Sequence, residues 1–447
     1  MDLAGKRITV IGLGKTGIAT VRFLAGQGAR VTVTDEKPLS EWKDVLSEFE
    51  HLHADLEIGS YGPDSLSRTD MVIPSPGVPP FNEIISEAAR RKIPILSEIE
   101  LAWRFLKRPM IAITGTNGKT TTTHLMGEIL KKMGKKVSVG GNIGNPMIAY
   151  VEGKQDDDYV VVEVSSFQLQ WVHNFRPFIS ILLNTTCDHV NYHGTFEAYC
   201  QAKERIFENQ TAGDLAILNA DDGRSDLLSK RIAARIRYFS SSSTLNDGMF
   251  LHGDSLVYCT DGKKEEYPLA MVKIPGRHNI ENVMAAVIAA RECGCSPDAI
   301  IRAVGNFKGM PHRIEFVGEK NSVAFYDDSK GTNVGAVMRA LETFSRPIIL
   351  LMGGRDKEGD FETLTPHLKE KVKELLLFGE ARDRINTLIG GVVRTTQVTT
   401  LKEAIEMAWQ YSSAGDVVLL SPGCASFDEF SDYQARGRFF KEVVRKL

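Results

Sequence analysis

The sequence lacks any apolar run approaching the roughly 20 residues that are needed to span a bilayer. Its opening, MDLAGKRITVIG, already has the pattern of a β-strand and not that of a targeting segment. We therefore expect a cytoplasmic protein with no membrane insertion.

An excess of one charge is also missing. The chain has 54 Lys and Arg residues against 57 Asp and Glu residues, which gives a formal net charge of −3. This balance does not support binding to nucleic acid or to an anionic membrane surface. An anionic substrate would have to be held by local donors.

Cysteine is sparse and scattered, with six residues in 447. Only Cys293 and Cys295 lie close together, and the C-G-C spacing is typical of neither a zinc site nor a thioredoxin-like site. A reduced, soluble protein without disulfides or structural zinc is expected.

What the chain has instead is a regular alternation of β-branched strands and amphipathic helices, which predicts parallel α/β domains. A length of 447 residues is too great for one hydrophobic core. We predict three domains: residues 1–97, Rossmann-like; 98–309, a parallel sheet like that of P-loop ATPases, with a small β insertion near 236–275; and 310–447, Rossmann-like again. A hairpin turn is expected at Asp261-Gly262.

The stretch VIGLGKTG contains the first glycine-rich loop, with Gly12, Gly14 and Gly17 following an apolar strand. Asp35 ends the next strand, where a ribose-binding carboxylate would lie. A glycine backbone at a helix N-terminus suits a diphosphate. The residues alone leave open NAD(P), another diphosphate ligand and a purely structural turn.

A second loop, AITGTNGKTTT, also joins an apolar strand to a helix. Its backbone N–H groups could cradle phosphates, Lys119 could reach the β- and γ-phosphates, and the Thr120 hydroxyl could face Mg²⁺. The loop departs from the usual P-loop, which would require glycine at the position of Ile113. It therefore predicts a shortened phosphate-binding loop, with an accidental turn as the alternative.

Metal ligands are expected at the ends of two neighbouring strands. YVVVE ends in Glu163, and FISILLNTTCDH ends in Asp188 and His189. Ends of parallel strands converge on one crevice, although an imidazole is an unusual ligand for Mg²⁺. The alternative is that His189 only caps a turn.

Lys203 lies four residues after Tyr199 and four before Phe207, so helical spacing places it on an apolar face. A buried lysine needs a partner or a changed chemical state. The alternative is a stem that snorkels to the solvent, which the residues alone favour.

The third predicted domain carries polar clusters at its strand ends and turns, which would face one crevice or would be ordinary capped loops. These clusters contain His312 and Arg313; Asp328, Ser329, Lys330 and Thr332; Lys357; and Ser426, Phe427 and Tyr433.

In chain order, TGTNGKTTT, GGNIGNP, EVSSFQL, NTTCDH, AKERIF and HNIENVMAA resemble the motif series of the Mur ligases, the ATP-dependent amide-forming enzymes of peptidoglycan synthesis. The resemblance spans all three domains. GLGKTG, MPHRIE, YDDSKGTN and LLSPGCASFDEF look like the member that adds D-glutamate to UDP-N-acetylmuramoyl-L-alanine. Folylpolyglutamate synthetase resembles the chain less at both ends.

This resemblance implies that the substrate carboxylate is phosphorylated by ATP and that the amine of D-glutamate then displaces phosphate through a tetrahedral intermediate. It implies ATP, two Mg²⁺ ions with Mn²⁺ as an alternative, and a CO₂-derived carbamate on Lys203. A monomer is expected, with the third domain closing on ATP.

The resemblance also assigns residues to four sites. The UDP-sugar contacts would be Gly14, Lys15, Thr16, Gly17, Asp35, Ser75, Gly77, Asn142, Gln168 and His189. The ATP contacts would be Gly115, Thr116, Asn117, Gly118, Lys119, Thr120, Thr121, Asn279, Asn282, His312, Arg313, Asp328 and Lys330. The D-glutamate contacts would be Thr332, Lys357, Ser426, Phe427 and Tyr433. The metal ligands would be Thr120, Glu163, His189 and Lys203, and the catalytic residues Lys119, Glu163, His189 and Lys203.

Two other classes of function fit part of the sequence. An NAD(P)-dependent oxidoreductase would use only the first loop and would leave the second loop and Lys203 without a role. A P-loop switch or mechanical ATPase would turn over ATP without any acceptor.

Overall fold

The computed structural model describes residues 1–37, 42, 49, 51–52, 54–58, 63–356 and 358–447. The chain divides into two compact units, Met1–Leu269 with Asn282–Val304, and Ala270–Glu281 with Gly305–Leu447. The first unit carries two sheets and the second unit carries one.

The described strands are numbered in chain order. They are β1 Arg7–Ile11, β2 Arg30–Asp35, β3 Asp55–Ile58, β4 Met71–Pro74, β5 Met110–Thr114, β6 Val137–Gly141, β7 Tyr159–Glu163, β8 Ile179–Leu182, β9 Leu215–Asn219, β10 Arg235–Ser240, β11 Gly248–His252, β12 Ser255–Thr260, β13 Lys263–Pro268, β14 Glu315–Lys320, β15 Val323–Asp327, β16 Ile348–Gly353, β17 Val372–Phe378, β18 Thr395–Gln397 and β19 Val417–Gly423.

The described α-helices are numbered in the same way. They are α1 Lys15–Gly26, α2 Glu83–Arg90, α3 Glu98–Phe105, α4 Lys119–Lys132, α5 Met147–Val151, α6 Ser166–Leu169, α7 Val190–His193, α8 Phe196–Glu204, α9 Ser225–Ser229, α10 Arg277–Glu292, α11 Pro297–Asn306, α12 Val334–Glu342, α13 Thr365–Lys371, α14 Arg382–Ile389, α15 Leu401–Tyr411 and α16 Tyr433–Lys446.

The first sheet has the order β3-β2-β1-β4 and is parallel throughout the described strands. Its central strand, RITVI, is β-branched and buried after its first residue, as expected for a strand covered on both faces. The first glycine-rich loop leaves the carboxyl end of this strand and leads directly into α1.

The second sheet has the order β13-β12-β11-β10-β9-β8-β5-β7-β6. It is parallel from β6 to β11, and only β11, β12 and β13 pair antiparallel. The insertion expected from residue 236 therefore starts later, because β10 pairs parallel with β9. The Asp261-Gly262 hairpin is confirmed, since both residues have a positive φ between β12 and β13.

The third sheet, in the second unit, has the order β14-β15-β19-β16-β17-β18, with only β14 antiparallel. Two apolar clusters cover its opposite faces, one built around Leu350 and Leu375 and the other around Leu351 and Leu376. The predicted α/β class with three parallel-rich sheets is confirmed. The domain boundaries at 97 and 309 stay predictions.

None of the helices in the described part of the chain combines the length and the hydropathy that crossing a bilayer requires.

Candidate functional site

The first glycine-rich loop can form only with glycine at two of its positions. Gly12 has a φ of +89°, and a Cβ on Gly17 would lie 1.9 Å from the Gly12 carbonyl oxygen. The Ser75 hydroxyl donates to that same oxygen at 2.8 Å. The loop is therefore a closely packed turn at the N-terminus of α1, where the first backbone N–H groups have no acceptor within the helix.

Asp35 braces this loop. Its buried carboxylate accepts the N–H of Leu13 at 2.6 Å and the N–H of Lys37 at 2.9 Å. Lys15, on the exposed side of the loop, donates to the carbonyl of Gly144 at 2.6 Å. Of the other predicted UDP-sugar residues, Gly14 and Gly77 are exposed and Thr16 is half-buried.

The second loop joins β5 to α4, as the sequence predicts, and its glycines are held tightly. Gly118 has a φ of +88°, and a Cβ there would lie 2.2 Å from Oδ1 of Asn282. The Lys119 ammonium folds over its own loop and donates to the carbonyls of Gly115 at 2.8 Å and Thr116 at 3.0 Å. The lysine side chain is thus held against the backbone of its own loop.

Asn184, just after β8, supports this loop, although the sequence predicts no role for it. Its side chain accepts the N–H of Asn117 at 3.0 Å and donates to the Asn117 carbonyl at 3.1 Å, while its own carbonyl accepts the N–H of Thr116 at 2.9 Å. The signal that could have revealed it is its position as the first residue of NTTCDH, shortly after the buried strand β8.

Glu163, at the carboxyl end of β7, meets two of the predicted residues. Its Oε2 accepts the Thr120 hydroxyl at 2.7 Å, and its Oε1 accepts the Asn142 amide at 2.8 Å. A carboxylate, a hydroxyl and an amide are the oxygen-bearing groups that Mg²⁺ prefers. These residues therefore fit a magnesium site beside the loop.

His189 immediately precedes α7 as its N-cap, with a φ of +52°, and its side chain is 44% exposed. Its backbone N–H donates to the Asp188 carboxylate at 2.9 Å. The centre of its ring lies 4.7 Å from that of Phe167 and 6.2 Å from that of Tyr199. The imidazole therefore lies in an aromatic cluster with Phe167 and Tyr199.

Lys203 is only 1% exposed, so the interpretation of a stem that snorkels to the solvent is wrong. Its Nζ donates to the Gly115 carbonyl at 2.9 Å, the same oxygen that Lys119 contacts, and lies 4.6 Å from the centre of the Tyr199 ring. Burial, together with the charge of Lys119, holds the pKa of Lys203 well below its usual value. The amine can therefore exist in its neutral, nucleophilic form.

His193 is a second residue that the sequence analysis did not single out. Its Nε2 lies 3.0 Å from the Ser166 hydroxyl, and its ring lies 5.5 Å from that of Tyr199. Burial and the charges of Lys203 and His189 lower the pKa of His193 to about 4. It is therefore neutral at physiological pH.

Gln168 is buried in the first turn after β7 and forms a capping box. Its Oε1 accepts the N–H of Ser165 at 3.0 Å and the Ser165 hydroxyl at 3.1 Å. Its amide also lies near the buried Glu98, whose Oε1 accepts the N–H of Ile148 at 2.6 Å. In this structure the residue predicted to contact the sugar side holds backbone groups in place.

In the second unit, His312 and Asp328 lie buried at the carboxyl end of β15. Nδ1 of His312 lies 2.7 Å from Asp327, and Asp328 accepts the Ser421 hydroxyl at 2.8 Å. Burial raises the pKa of Asp328 to about 7.

The other predicted residues of this unit lie on neighbouring loops. The Lys330 ammonium lies 4.0 Å from the centre of the Tyr433 ring. Ser426 is buried and Phe427 is 59% exposed, whereas Thr332 and Arg313 are half-buried. Asn279 donates to the Pro275 carbonyl at 2.6 Å. Lys357, predicted to bind D-glutamate, lies outside the described residues.

One group of side chains in the described residues has the composition of a metal site. Ligand atoms of His312, Glu315 and Asp327 all lie within 4.8 Å of one another. The Lys441 ammonium, however, lies 2.9 Å from Glu315, and Asp327 also accepts the N–H of Ser329 at 2.9 Å. Since the carboxylates are already balanced by a cation and by hydrogen bonds, the group is an internal ion-pair network.

A glycine-rich loop at a strand-to-helix junction in each of the first two sheets defines a multidomain α/β protein with two phosphate-type sites. Family models match along the chain: the Mur ligase MurD-like N-terminal domain over residues 6–97, the Mur ligase middle domain over 113–290, and the Mur ligase glutamate ligase domain over 312–424. The chain belongs to the Mur ligase family.

Relatives match over the full length. A UDP-N-acetylmuramoylalanine–D-glutamate ligase from Syntrophus aciditrophicus is 60% identical, and the match covers 100% of this chain and 99% of that protein. A ligase of the same name from Geotalea daltonii is 45% identical with the same coverage.

Solved structures share the fold. A pseudomurein peptide ligase type C from Methanothermus fervidus has a TM-score of 0.62 at 19% identity, covering 99% of this chain and 100% of that one. A UDP-N-acetylmuramate-alanine ligase from Thermotoga maritima has a TM-score of 0.59 at 20% identity, covering 98% and 99%.

Proposed function

We propose that this chain is an ATP-dependent C–N ligase that joins D-glutamate to UDP-N-acetylmuramoyl-L-alanine, releasing ADP and phosphate, in the synthesis of the peptidoglycan precursor. The observation that carries the proposal is the pair of phosphate-type loops on separate sheets of unit 1, one starting at Gly12 and the other at Gly115. A nucleotide-linked substrate and ATP would each occupy one of these loops. A relative of that activity is 60% identical over the whole length.

The first loop would bind the diphosphate of the UDP-sugar. Its close-packed glycines let the ligand approach the backbone, and the start of α1 supplies N–H donors. Asp35 braces the loop through Leu13, so this carboxylate would act on the ligand partly by fixing the backbone that receives it. No nicotinamide is required.

The second loop would bind ATP, with Lys119 turning from its own loop carbonyls to the β- and γ-phosphates. Thr120 and Glu163 would hold one Mg²⁺, and His189 with a modified Lys203 would hold a second. When bound, the cation neutralises phosphate charge and orients the transferring group. Mn²⁺ would suit the same oxygen ligands.

Lys203 would carry a carbamate. Its depressed pKa makes the neutral amine available, the nitrogen lone pair attacks CO₂, and the N–H proton leaves to solvent. The product is an anionic oxygen ligand in place of a cation. That change would also remove the repulsion between the Lys203 and Lys119 ammonium groups.

The reaction itself would proceed by positioning and charge neutralisation. The L-alanyl carboxylate attacks the γ-phosphate and gives an acyl phosphate and ADP. The amine of D-glutamate then attacks the acyl carbon, and the tetrahedral intermediate collapses with loss of phosphate and a proton. The carboxylates of D-glutamate would be held by Lys357 and Ser426, next to Thr332, Phe427 and Tyr433, and the adenosine side by Asn279, His312, Arg313, Asp328 and Lys330.

We further propose that the protein works as a cytoplasmic monomer whose product supports cell-wall synthesis, and hence cell shape and division. The balanced charge of −3 supports neither nucleic acid nor an anionic membrane as a partner.

The deciding experiment measures ADP and phosphate release with ATP, Mg²⁺ and UDP-N-acetylmuramoyl-L-alanine, adding D-glutamate, L-glutamate or meso-diaminopimelate in turn. Turnover only with D-glutamate is the expected result. Turnover with another amino acid would change the acceptor but keep the mechanism, and turnover without any acceptor would indicate a switch ATPase. Absence of ADP and phosphate release with all three amino acids, combined with binding of a nicotinamide nucleotide, would overturn the proposal.

A further inference from the structure

Arg436 is fully buried and is the largest buried side chain among the described residues. Burial lowers the pKa of Arg436 to about 10, so the guanidinium keeps its charge at neutral pH. It lies in the first turn of α16, where a cation is unfavourable because the N-terminus of a helix is its positive end. Because a buried cation at this helix position is unfavourable, its presence indicates that the contacts of the guanidinium are needed there.

The guanidinium donates to three backbone carbonyls. Nη2 donates to Ser329 at 2.9 Å and to Cys424 at 3.0 Å, and Nη1 donates to Ala425 at 3.2 Å. Nε is buried without a hydrogen-bond partner. The side chain therefore uses the end of its planar fork to join two segments that are 95 residues apart in the chain (329 and 424).

These two segments leave neighbouring strands at the same edge of the third sheet. β15 ends at Asp327 and β19 ends at Gly423, and the two strands pair parallel. The segment 328–332 carries Asp328, Lys330 and Thr332, and the segment 423–427 carries Ser426 and Phe427. All five were assigned to ATP or to the amino acid, whereas Arg436 was assigned to neither.

The next residue shows that α16 is seated against the same edge. A Cβ on Gly437 would lie 2.1 Å from Nδ1 of His312 and 2.5 Å from Oδ2 of Asp327. One turn earlier on the helix, the Tyr433 ring lies 4.0 Å from the Lys330 ammonium. Any shift of α16 would therefore move the two loops and His312 together.

We propose that Arg436 is a positioning residue that fixes the loops 328–332 and 423–427 in the arrangement that binds the incoming amino acid. The inference rests on the proposed function, in which that amino acid is D-glutamate. Arg436 acts through backbone carbonyls, so its role is to set the spacing between Thr332 and Ser426. It also places a buried positive charge beneath loops that would receive a dicarboxylate.

The test compares Arg436→Lys with Arg438→Lys, an exposed arginine on the same helix. Lysine keeps the charge of Arg436 but has no planar fork to join both loops. We expect the KM for D-glutamate to rise by about tenfold to a hundredfold in Arg436→Lys, as for loss of one or two hydrogen bonds to a charged group. The Kd for UDP-N-acetylmuramoyl-L-alanine, measured directly, should stay unchanged, and Arg438→Lys should match the wild type in both.

A KM for D-glutamate within about twofold of the wild type would overturn the proposal. An equal loss of UDP-sugar binding would also overturn it, because it would show a general effect on folding. Should Arg436→Lys be insoluble, Arg436→Gln answers the same question, since its neutral amide avoids burying a charge and still cannot reach three carbonyls. Failure of the proposed function is distinguishable, because the wild type would then release no phosphate in response to D-glutamate.

Discussion

Two buried basic side chains, one in each compact unit, have contrasting surroundings. Lys203 is 1% exposed and has one carbonyl acceptor, that of Gly115, with the Lys119 ammonium close by. Arg436 is fully buried and has three carbonyl acceptors. The pKa of Lys203 falls well below its usual value, whereas that of Arg436 falls only to about 10.

The difference shows that burial can favour a reactive side chain at one position and a purely structural side chain at another. A lysine with one acceptor and a like charge nearby is stabilised in its neutral form, which is a nucleophile. An arginine remains charged and can be satisfied only by a set of fixed acceptors, so it holds backbone in place. Substitution of Lys203 is therefore expected to lower kcat, whereas substitution of Arg436 is expected to raise the KM for the amino acid.

The largest effect is expected at Lys203. Lys203→Ala should lower kcat on the order of 10²–10³-fold, as for loss of a group that stabilises charge in the transition state. Lys203→Arg should be equally inactive, because arginine keeps its charge and forms no carbamate. The measurement is phosphate release at saturating substrates.

Small carboxylic acids provide the control for Lys203. Acetate or formate should restore part of the activity of Lys203→Ala, because either could place an anionic oxygen where the carbamate would lie, and neither should help Lys203→Arg. Absence of any recovery in Lys203→Ala would contradict the carbamate. The carbamate would also be contradicted if removing and then restoring CO₂ and bicarbonate left the activity of the wild-type enzyme unchanged.

The second effect is expected at Lys119. Lys119→Ala should lower ADP release about a hundredfold, since the phosphates lose their cation, while UDP-sugar binding at the separate first loop persists. It should also raise the pKa of Lys203, because the charge of Lys119 is one cause of its depression. CO₂-dependent modification of Lys203 should therefore begin at a higher pH in the variant than in the wild type. Mass spectrometry at a series of pH values measures this shift. Loss of UDP-sugar binding together with ADP release would show misfolding instead.

Most of the fold and the two glycine-rich loops of the first unit's candidate site could be predicted from the sequence. The strand, glycine turn and helix around Gly12 and Gly115 follow from local patterns, since period and turn chemistry act over a few residues. The burial of Lys203 followed from helical spacing, although the preference for snorkelling was wrong because spacing does not reveal what covers a helix face.

What could not be predicted depends on contacts distant in sequence. Asn184 supports a loop 67 residues earlier, and Arg436 joins Ser329, 107 residues earlier, to Cys424. Asn184 begins the motif NTTCDH, which does not reveal its distant partners, and Arg436 lies outside the motifs quoted above. The start of the antiparallel insertion was misplaced because β10, RIRYFS, alternates like an edge strand but pairs parallel inside the sheet.

A buried acid extends the comparison to the opposite charge. Glu98 has one hydrogen bond at Oε1, to Ile148, while its Oε2 is buried without a partner, and burial raises its pKa to about 7 from 4.5. Because the folded state holds a proton that the unfolded state has released, Glu98 should reduce stability as pH rises from about 4.5 to 7. The loss should level off above that range, at up to ~3 kcal/mol.

Glu98→Gln isolates this contribution, since the amide oxygen can still accept the N–H of Ile148. Chemical denaturation of both proteins at pH 5 and pH 8 should show that the variant gains stability relative to the wild type at the higher pH. A constant difference between the two pH values would show that Glu98 does not titrate in this window.

The smallest effect is expected at an exposed cation beside the Lys203 helix. Arg231 pairs with Glu204 at 2.6 Å, but its side chain is 61% exposed, and Glu204 keeps a second partner in Arg224 at 2.9 Å. Solvent screens such a pair, so Arg231→Ala should change the free energy of unfolding by only ~0.5 kcal/mol and leave kcat unchanged. Urea denaturation at low and high salt measures it. A loss of activity comparable to that of Lys203→Ala would mean that the orientation of α8 depends on its surface charges, and burial alone would then not explain the chemistry of Lys203.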